Sequence, residues 1–246
     1  MKITIENNNK TTTVDLYSPE GLDLISGLWL KLCAQYKLMY ETTWLGVPII
    51  QLPEDVVIMQ ELIWKTRPDI VIECGLAHGG SALFYASLLD LIGKGFVIGI
   101  DVEIRHYNRI AIENHPMSHR VRMIEGSSVS DETIGKVKEA VKGAGKVMVV
   151  LDSNHSKEHV AKELDLYKDF VTPGSYMVAM DGAQAYVWDI PRGKSEWKED
   201  NPLIAIEDFI GHTQDFVIDE RCNKLMVSSN PKGYLRRLTA EEMERR

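Results

Sequence analysis

The chain has 246 residues, 44% of them apolar and 26% charged, which is enough for one sizeable core with decorations. Its net charge of −8 excludes a general polyanion-binding surface, so nucleic acid is not an expected partner. Three cysteines, Cys33, Cys74 and Cys222, are odd in number and widely spaced, which argues against a disulfide framework or a Cys-ligated zinc and for reduced structural thiols in a cytoplasm.

The first ten residues lack the apolar core of an export signal, and the Asn/Thr cluster over residues 7–13 reads as a polar lead-in. Between Pro19 and Tyr40 the residues Leu22, Ile25, Leu28, Trp29, Leu32, Tyr36 and Met39 recur at helical spacing, and Gly46 and Pro48 then break the pattern. A second helix is expected after Pro53, with Glu54 and Asp55 suiting its positive end, up to Arg67 and Pro68. Residues 1–66 therefore read as an N-terminal helical cap, and 67–246 as the main domain.

From Asp69 onward short β-rich runs alternate with helical segments. Strands are expected at 70–74, 96–101, 121–125, 147–152 and 176–181, with helices around 81–92, 105–114, 131–142 and 157–170. Continuous apolar runs separated by helices imply strands buried on both faces, hence a doubly wound, mostly parallel sheet. The longest such runs fall far short of the ~20 residues that span a membrane. After a Pro-, Gly- and charge-rich stretch and a helix over 204–210, strands at 216–219 and 224–228 are separated by four residues. So short a link demands an antiparallel hairpin and brings the sheet to seven strands.

In such a sheet ligands collect at the carboxyl ends of the strands. The first strand ends in Glu73-Cys74-Gly75-Leu76-Ala77-His78-Gly79-Gly80-Ser81: a carboxylate, glycines four apart that permit a tight turn, then a helix start. Asp101 closes the second strand, 22 residues beyond Gly79, where a carboxylate can accept both hydroxyls of a ribose. A dinucleotide site needs G-x-G-x-x-G so that pyrophosphate can approach a helix end, whereas here Ala77 takes the second glycine position and Glu73 would repel an anion. S-adenosylmethionine, with a cationic sulfonium and no phosphate, suits the acidic loop better. Glu73, Gly75, His78, Gly79 and Ser81 are then candidates for the methionyl end, Asp101 for the ribose, and Ser127 and Ser128 at the third strand end for the adenine.

The fourth and fifth strands end in Asp152 and Asp181. Two carboxylates on one crevice could hold a hard cation such as Mg²⁺, which would lower the pKa of a substrate hydroxyl and orient it; alternatively Asp152 caps the following helix or hydrogen-bonds its loop. His155, three residues past a strand end, is the best-placed general base, with Asp152 beside it in the catalytic set and in the cofactor set. His155-Ser156-Lys157-Glu158-His159 also matches the H-x-x-E-H pattern of some zinc peptidases, but that reading leaves the glycine loop and Asp101 unexplained.

With these residues in place, the sequence resembles the bacterial family labelled cephalosporin hydroxylase or rhamnosyl O-methyltransferase, from about Trp44 to Arg237. The carriers are 52–55 (LPED), 71–75 (VIECG) with 78–81 (HGGS), 99–105 (GIDVEIR), 124–128 (IEGSS), 151–155 (LDSNH) and 230–237 (NPKGYLRR). The resemblance implies a class I, Rossmann-like methyltransferase fold that uses S-adenosylmethionine. It also implies O-methylation of sugars in glycans, capsules or natural products, often with a metal and in an oligomer. Related sequences often carry an acidic pair at the fifth strand end; here its first member is Met180, whose thioether cannot replace a hard oxygen ligand. Gln184 or water would be needed to complete a site, and without a metal His155 would carry more of the burden.

The expected function is thus S-adenosylmethionine-dependent O-methylation of a hydroxyl on a sugar or sugar nucleotide. The stretch 186–202, with Trp188 and Trp197, would cover the substrate. The alternatives are a nicotinamide-dependent oxidoreductase on the same sheet and a non-catalytic, cofactor-binding partner subunit. A homo-oligomer joined through the N-terminal helices is expected from their abundant apolar positions.

Overall fold

A computed structural model describes residues 1–7 and 10–245 of the chain. It opens with a β-hairpin, β1 (Lys2–Asn7) and β2 (Lys10–Asp15), paired antiparallel with Thr4 opposite Thr13. The polar lead-in is therefore a ribbon, except that Asn8 and Asn9 lie outside the described residues. Its alternating Thr and Ile residues suit a pleated strand, and the Thr4 and Thr13 hydroxyls bond across it at 2.9 Å.

Helix α1 (Pro19–Tyr36) starts where Ser18 accepts the Gly21 N–H and Pro19 occupies the first turn. A two-residue ribbon, β3 (Thr43–Trp44) and β4 (Val47–Pro48), leads to α2 (Pro53–Thr66), with Glu54 and Asp55 in its first turn. Then the alternation begins: β5 (Ile70–Cys74), α3 (Gly80–Ile92), β6 (Phe96–Asp101), α4 (His106–Glu113), β7 (Val121–Glu125), α5 (Asp131–Ala140), β8 (Val147–Leu151), α6 (Lys157–Tyr167) and β9 (Tyr176–Ala179). After α7 (Gln184–Val187) and α8 (Pro202–His212) come β10 (Phe216–Ile218), β11 (Tyr234–Arg237) and α9 (Ala240–Glu244).

Seven strands form one sheet in the order β10-β11-β9-β8-β5-β6-β7, parallel from β9 through β7 and antiparallel at β11 and β10. Strand residues alternate between two cores. Val71, Val97, Met148 and Val150 meet α2 and α3 on one face, while Ile70, Ile72, Ile98, Val147 and Val149 meet α5, α6 and α8 on the other. Burial on both faces is why these strands read as unbroken apolar runs. The chain order doubles back between β5 and β8, which makes that edge the switch point of the sheet.

The C-terminal hairpin is present, but its second strand is not residues 224–228. Phe216 to Ile218 pair instead with Leu235 to Arg237. The apolar run 224–228 fails as a strand because its end is held elsewhere: Ser228 Oγ and the Ser229 N–H and Oγ all donate to buried Asp55 on α2. Met226 in turn adopts a left-handed backbone, φ 66°. No described helix is long and apolar enough to cross a membrane.

Candidate active site

The five strands β5 to β9 end side by side, and backbone hydrogen bonds between the loops that follow them set the site. Gly75 N–H donates to the Ile100 carbonyl at 2.8 Å, Asp152 N–H to Cys74 at 2.7 Å and Gly126 N–H to Asp101 at 2.8 Å. Gly75 itself has φ +97°, and a Cβ there would occupy the Asp152 carbonyl, so this junction accepts only glycine. Gly79, φ +86°, caps α3, and a side chain there would collide with Ile112.

Asp101 organises the loop from below. Its Oδ2 accepts the N–H groups of Leu76 (3.0 Å) and Ala77 (2.9 Å), and its Oδ1 accepts that of Glu103 at 3.1 Å. Asn108, not singled out from sequence, donates to the Ala77 carbonyl at 2.7 Å and pins the same turn. Around it a cleft of about 240 Å³ is walled by Gly75, Asp101, Ser127, Ser128, Asn154 and His159, among others. Asp101, Gly75, Ser127 and Ser128 thus share one cavity. Glu73, His78, Gly79 and Ser81 do not line it.

Glu73 is fully buried, and neither carboxylate oxygen has a hydrogen-bond partner. Burial pushes its pKa well above the usual carboxylate range, with the nearby Ser81 hydroxyl acting the other way. His78 Nδ1 is likewise buried without a partner. An unpartnered buried carboxyl two residues before Gly75, which walls the cleft, is what a cationic ligand group would satisfy. The glycine cradle and orphaned carboxylate therefore fit S-adenosylmethionine, with Asp101 Oδ1 left only one protein donor.

Beyond the cleft, His155 lies between two acids. Its Nε2 is 3.4 Å from Asp152 Oδ1, its Nδ1 3.2 Å from Asp181 Oδ2, and the Gln184 amide is 2.9 Å from Nδ1. Burial pulls the imidazole pKa down, but the Asp181 charge and the hydrogen bond to Asp152 outweigh it and lift the ring to about 9. Burial raises Asp152 to about 6 against the opposing pull of that same bond. The two acids thus favour the protonated ring, and burial opposes them.

The same three side chains offer ligand atoms within 4.8 Å of one another. Two carboxylate oxygens suit a hard divalent cation; Met180, buried with a thioether, adds no donor of that kind. The donor set fits a cation with open positions for water or substrate. His159, by contrast, does not join His155 around a metal: its Nε2 meets Ser128 Oγ (3.2 Å) and Ser153 Oγ (3.1 Å) at the cleft. The missed signal was Ser156, which caps α6 and so places His159 in its first turn, facing the strand ends.

A second cavity of about 360 Å³ opens on the other side of the triad, at Asp181 and Gln184, and extends to Leu30 and Ala34 of α1 and to Trp197. Trp197 is in its wall; Trp188 is not, and stacks under Lys198 at 5.6 Å.

A family model described as Rhamnosyl O-methyltransferase/CmcI matches residues 36–238. The chain is 33% identical over 143 residues to the rhamnosyl O-methyltransferase of Mycobacterium leprae, covering 57% of this chain and 60% of that protein. To the rhamnosyl O-methyltransferase of Mycobacterium tuberculosis H37Rv it is 32% identical over 202 residues, 79% of this chain and 78% of that one. Among solved structures, CmcI-N160 in its apo form superposes with a TM-score of 0.59 at 19% identity, covering 82% of this chain and 78% of that one. CmcI-D160 with Mg and SAM gives 0.57 at 18%, covering 81% and 78%.

Proposed function

Because the chain belongs to the rhamnosyl O-methyltransferase/CmcI family, we propose that it transfers the methyl group of S-adenosylmethionine to a hydroxyl of a sugar or sugar-bearing acceptor. One observation carries the reading. The glycine cradle with its Asp101-walled cleft and the Asp152–His155–Asp181 triad stand at neighbouring strand ends, and a second cavity opens beyond the triad.

In this reading the cofactor lies along the cleft, its ribose at Asp101 and its adenine against Ser127, Ser128, Asn154 and His159. The cationic methionyl end is directed toward Glu73 and the loop of Gly75, His78, Gly79 and Ser81. A pyrophosphate would need a glycine at the Ala77 position to approach the helix end, which disfavours the nicotinamide alternative.

Methyl transfer from a sulfonium to oxygen is an in-line displacement in which the hydroxyl loses a proton as the new C–O bond forms. His155 is the group placed to take that proton when its ring is neutral. Asp152 and Asp181, one at each ring nitrogen, fix the imidazole's orientation and stabilise the cation that results. A divalent cation held by Asp152 and Asp181 would lower the hydroxyl pKa and orient the oxygen. Residues 1–66 act as a cap, with α1 roofing the acceptor cavity through Leu30 and Ala34. All three cysteines are buried and unpaired, consistent with a reducing, cytoplasmic setting.

The test is incubation with methyl-labelled S-adenosylmethionine and a panel of sugars and nucleotide sugars, with and without chelator. Label appearing on a sugar hydroxyl is the expected result. No transfer to any acceptor, with the cofactor bound, would favour the non-catalytic alternative.

A further inference from the structure

The acceptor cavity has a charge pattern that sugar recognition alone does not call for. Its floor is apolar, from Leu30, Leu52 and Val187, and Asp181 at the triad end is the only carboxylate in its wall. Three cations also line it: Lys37, Arg192 and Lys194. Among the described residues no carboxylate pairs with any of them. Lys37 stands over the Tyr40 ring at 5.3 Å and Lys194 over Trp197 at 5.8 Å. The Arg192 backbone N–H is anchored on Gln35 Oε1 at 3.2 Å. One turn before Gln35 on α1, Lys31 is ion-paired with Asp189, so acidic partners are at hand where the fold uses them.

Three unneutralised cations in one concavity, on a chain of net charge −8, mark a site for an anion. A guanidinium with two ammonium groups matches phosphate oxygens in charge and in donor geometry, and a half-walled cavity strengthens the attraction over that at open surface. Trp197 and Tyr40 offer faces for a ring beside it.

Resting on the methyltransferase reading, we infer that the acceptor enters as an anion. It is a sugar carried on a phosphate or diphosphate ester, the ester seated against Lys37, Arg192 and Lys194 and the sugar reaching toward Asp181 and His155. A nucleoside-linked and a lipid-linked sugar diphosphate present the same chemistry here.

The test is calorimetric titration of the full chain saturated with S-adenosylhomocysteine, in chelator-containing buffer. The probes are inorganic pyrophosphate, UDP-glucose, glucuronic acid and glucose. Pyrophosphate should bind, with affinity falling as salt is raised. Glucose and glucuronic acid should bind at least about tenfold more weakly, by the charge argument. UDP-glucose competing with pyrophosphate supports a nucleoside-linked acceptor, and pyrophosphate binding without UDP-glucose binding supports a lipid-linked one. The double variant R192Q/K194Q, both positions exposed, should weaken pyrophosphate about tenfold or more and leave S-adenosylhomocysteine affinity unchanged. Pyrophosphate failing to bind, binding the variant equally, or being outbound by glucuronic acid overturns the inference. Failure of S-adenosylhomocysteine itself to bind overturns the methyltransferase reading instead.

Discussion

The side-chain oxygen of Asn230 accepts the backbone N–H of Asp181 at 3.0 Å, joining two positions 49 residues apart. Asp181 sits in a left-handed conformation, φ 59°, that a non-glycine residue adopts only at some cost. Asn230 holds it there, and is itself held by a chain that runs back to α2. Asp55 accepts Ser228 Oγ (2.5 Å), Ser229 N–H and Oγ (2.8 Å each) and Tyr234 OH (2.8 Å), while Tyr234 OH lies 3.3 Å from Asn230 Nδ2. Segments 52–55 and 230–237, which both carry the family resemblance, thus meet in one hydrogen-bond chain that ends at Asp181.

Asn230→Ala should therefore act at a distance from the cofactor. Asn230 is fully buried, and removing it strands the Asp181 N–H, a loss of about 1–3 kcal/mol. Urea unfolding should report that loss. Turnover should fall while S-adenosylhomocysteine affinity stays within a factor of about three, because the cleft at Asp101 is untouched.

Gly75→Ala tests the cradle. The added methyl meets the Asp152 carbonyl, and φ +97° is itself strained for any L side chain, so a cost above about 2 kcal/mol is expected with loss of cofactor binding. Gly27→Ala is the matched control. It lies within α1 with nothing within 4 Å of an added Cβ, and should be neutral or stabilising by about 0.5–1 kcal/mol. A thermal melt of both variants decides; equal behaviour would remove the close β5–β8 approach from the account.

How far the molecule could be read from its residues depends on where each element takes its instructions. Strands 70–74 and 96–101 stand where their apolar runs predicted, because burial on both faces leaves a mark in local composition; 121–125 stands in place as well, although it is an edge strand with no buried residue. The run 224–228 misled for the opposite reason: its fate is decided by Asp55, more than 170 positions away in the chain. Asp152, His155 and Asp181 were legible as strand-end residues, but the imidazole lying between the two acids was not, since it follows from β8 and β9 pairing in parallel. The hairpin at the start leaves only a weak trace in the sequence, because its apolar face consists of just Ile3, Ile5 and Val14 among Thr residues.

Acid stability has a nameable contributor. Two guanidinium bonds from Arg221, at 2.7 Å each, hold the Asp219 carboxyl down to about 2, and the Tyr176 hydroxyl donates to it as well, also at 2.7 Å. A folded pKa below the unfolded value of about 3.8 means that the stabilisation is complete above about pH 4 and is lost as pH falls through 2. Asp219→Asn should be less stable than the parent by a constant margin from pH 5 to 8. That margin should shrink between pH 4 and 2 in urea titrations, whereas a margin independent of pH down to 2 would exclude the linkage.

His155→Ala separates proton transfer from binding. Loss of the imidazole should lower turnover about 10²-fold or more, the usual worth of a positioned base. S-adenosylhomocysteine affinity should hold, since His155 is not in the wall of the cleft at Asp101. A variant retaining most of its turnover would shift the chemistry onto Asp152 and Asp181.

The outer face of α1 leads to a prediction about assembly. Leu30 and Cys33 point inward, to Ala183 and Val187, but Leu22, Ile25, Trp29, Leu32 and Tyr36 are exposed by 42–68% along one helical stripe. A run of that length exposed on a monomer is costly in water, and a second copy presenting the same stripe would cover it with two-fold symmetry. Light scattering should give a mass above that of one chain. Trp29→Glu, a change at an exposed position that leaves the inward face intact, should return the protein to a monomer with an unaltered melting profile at low concentration. Because α1 also walls the acceptor cavity, the monomeric variant should lose acceptor affinity more than cofactor affinity, and a wild-type protein that is monomeric at every concentration would refute the assembly.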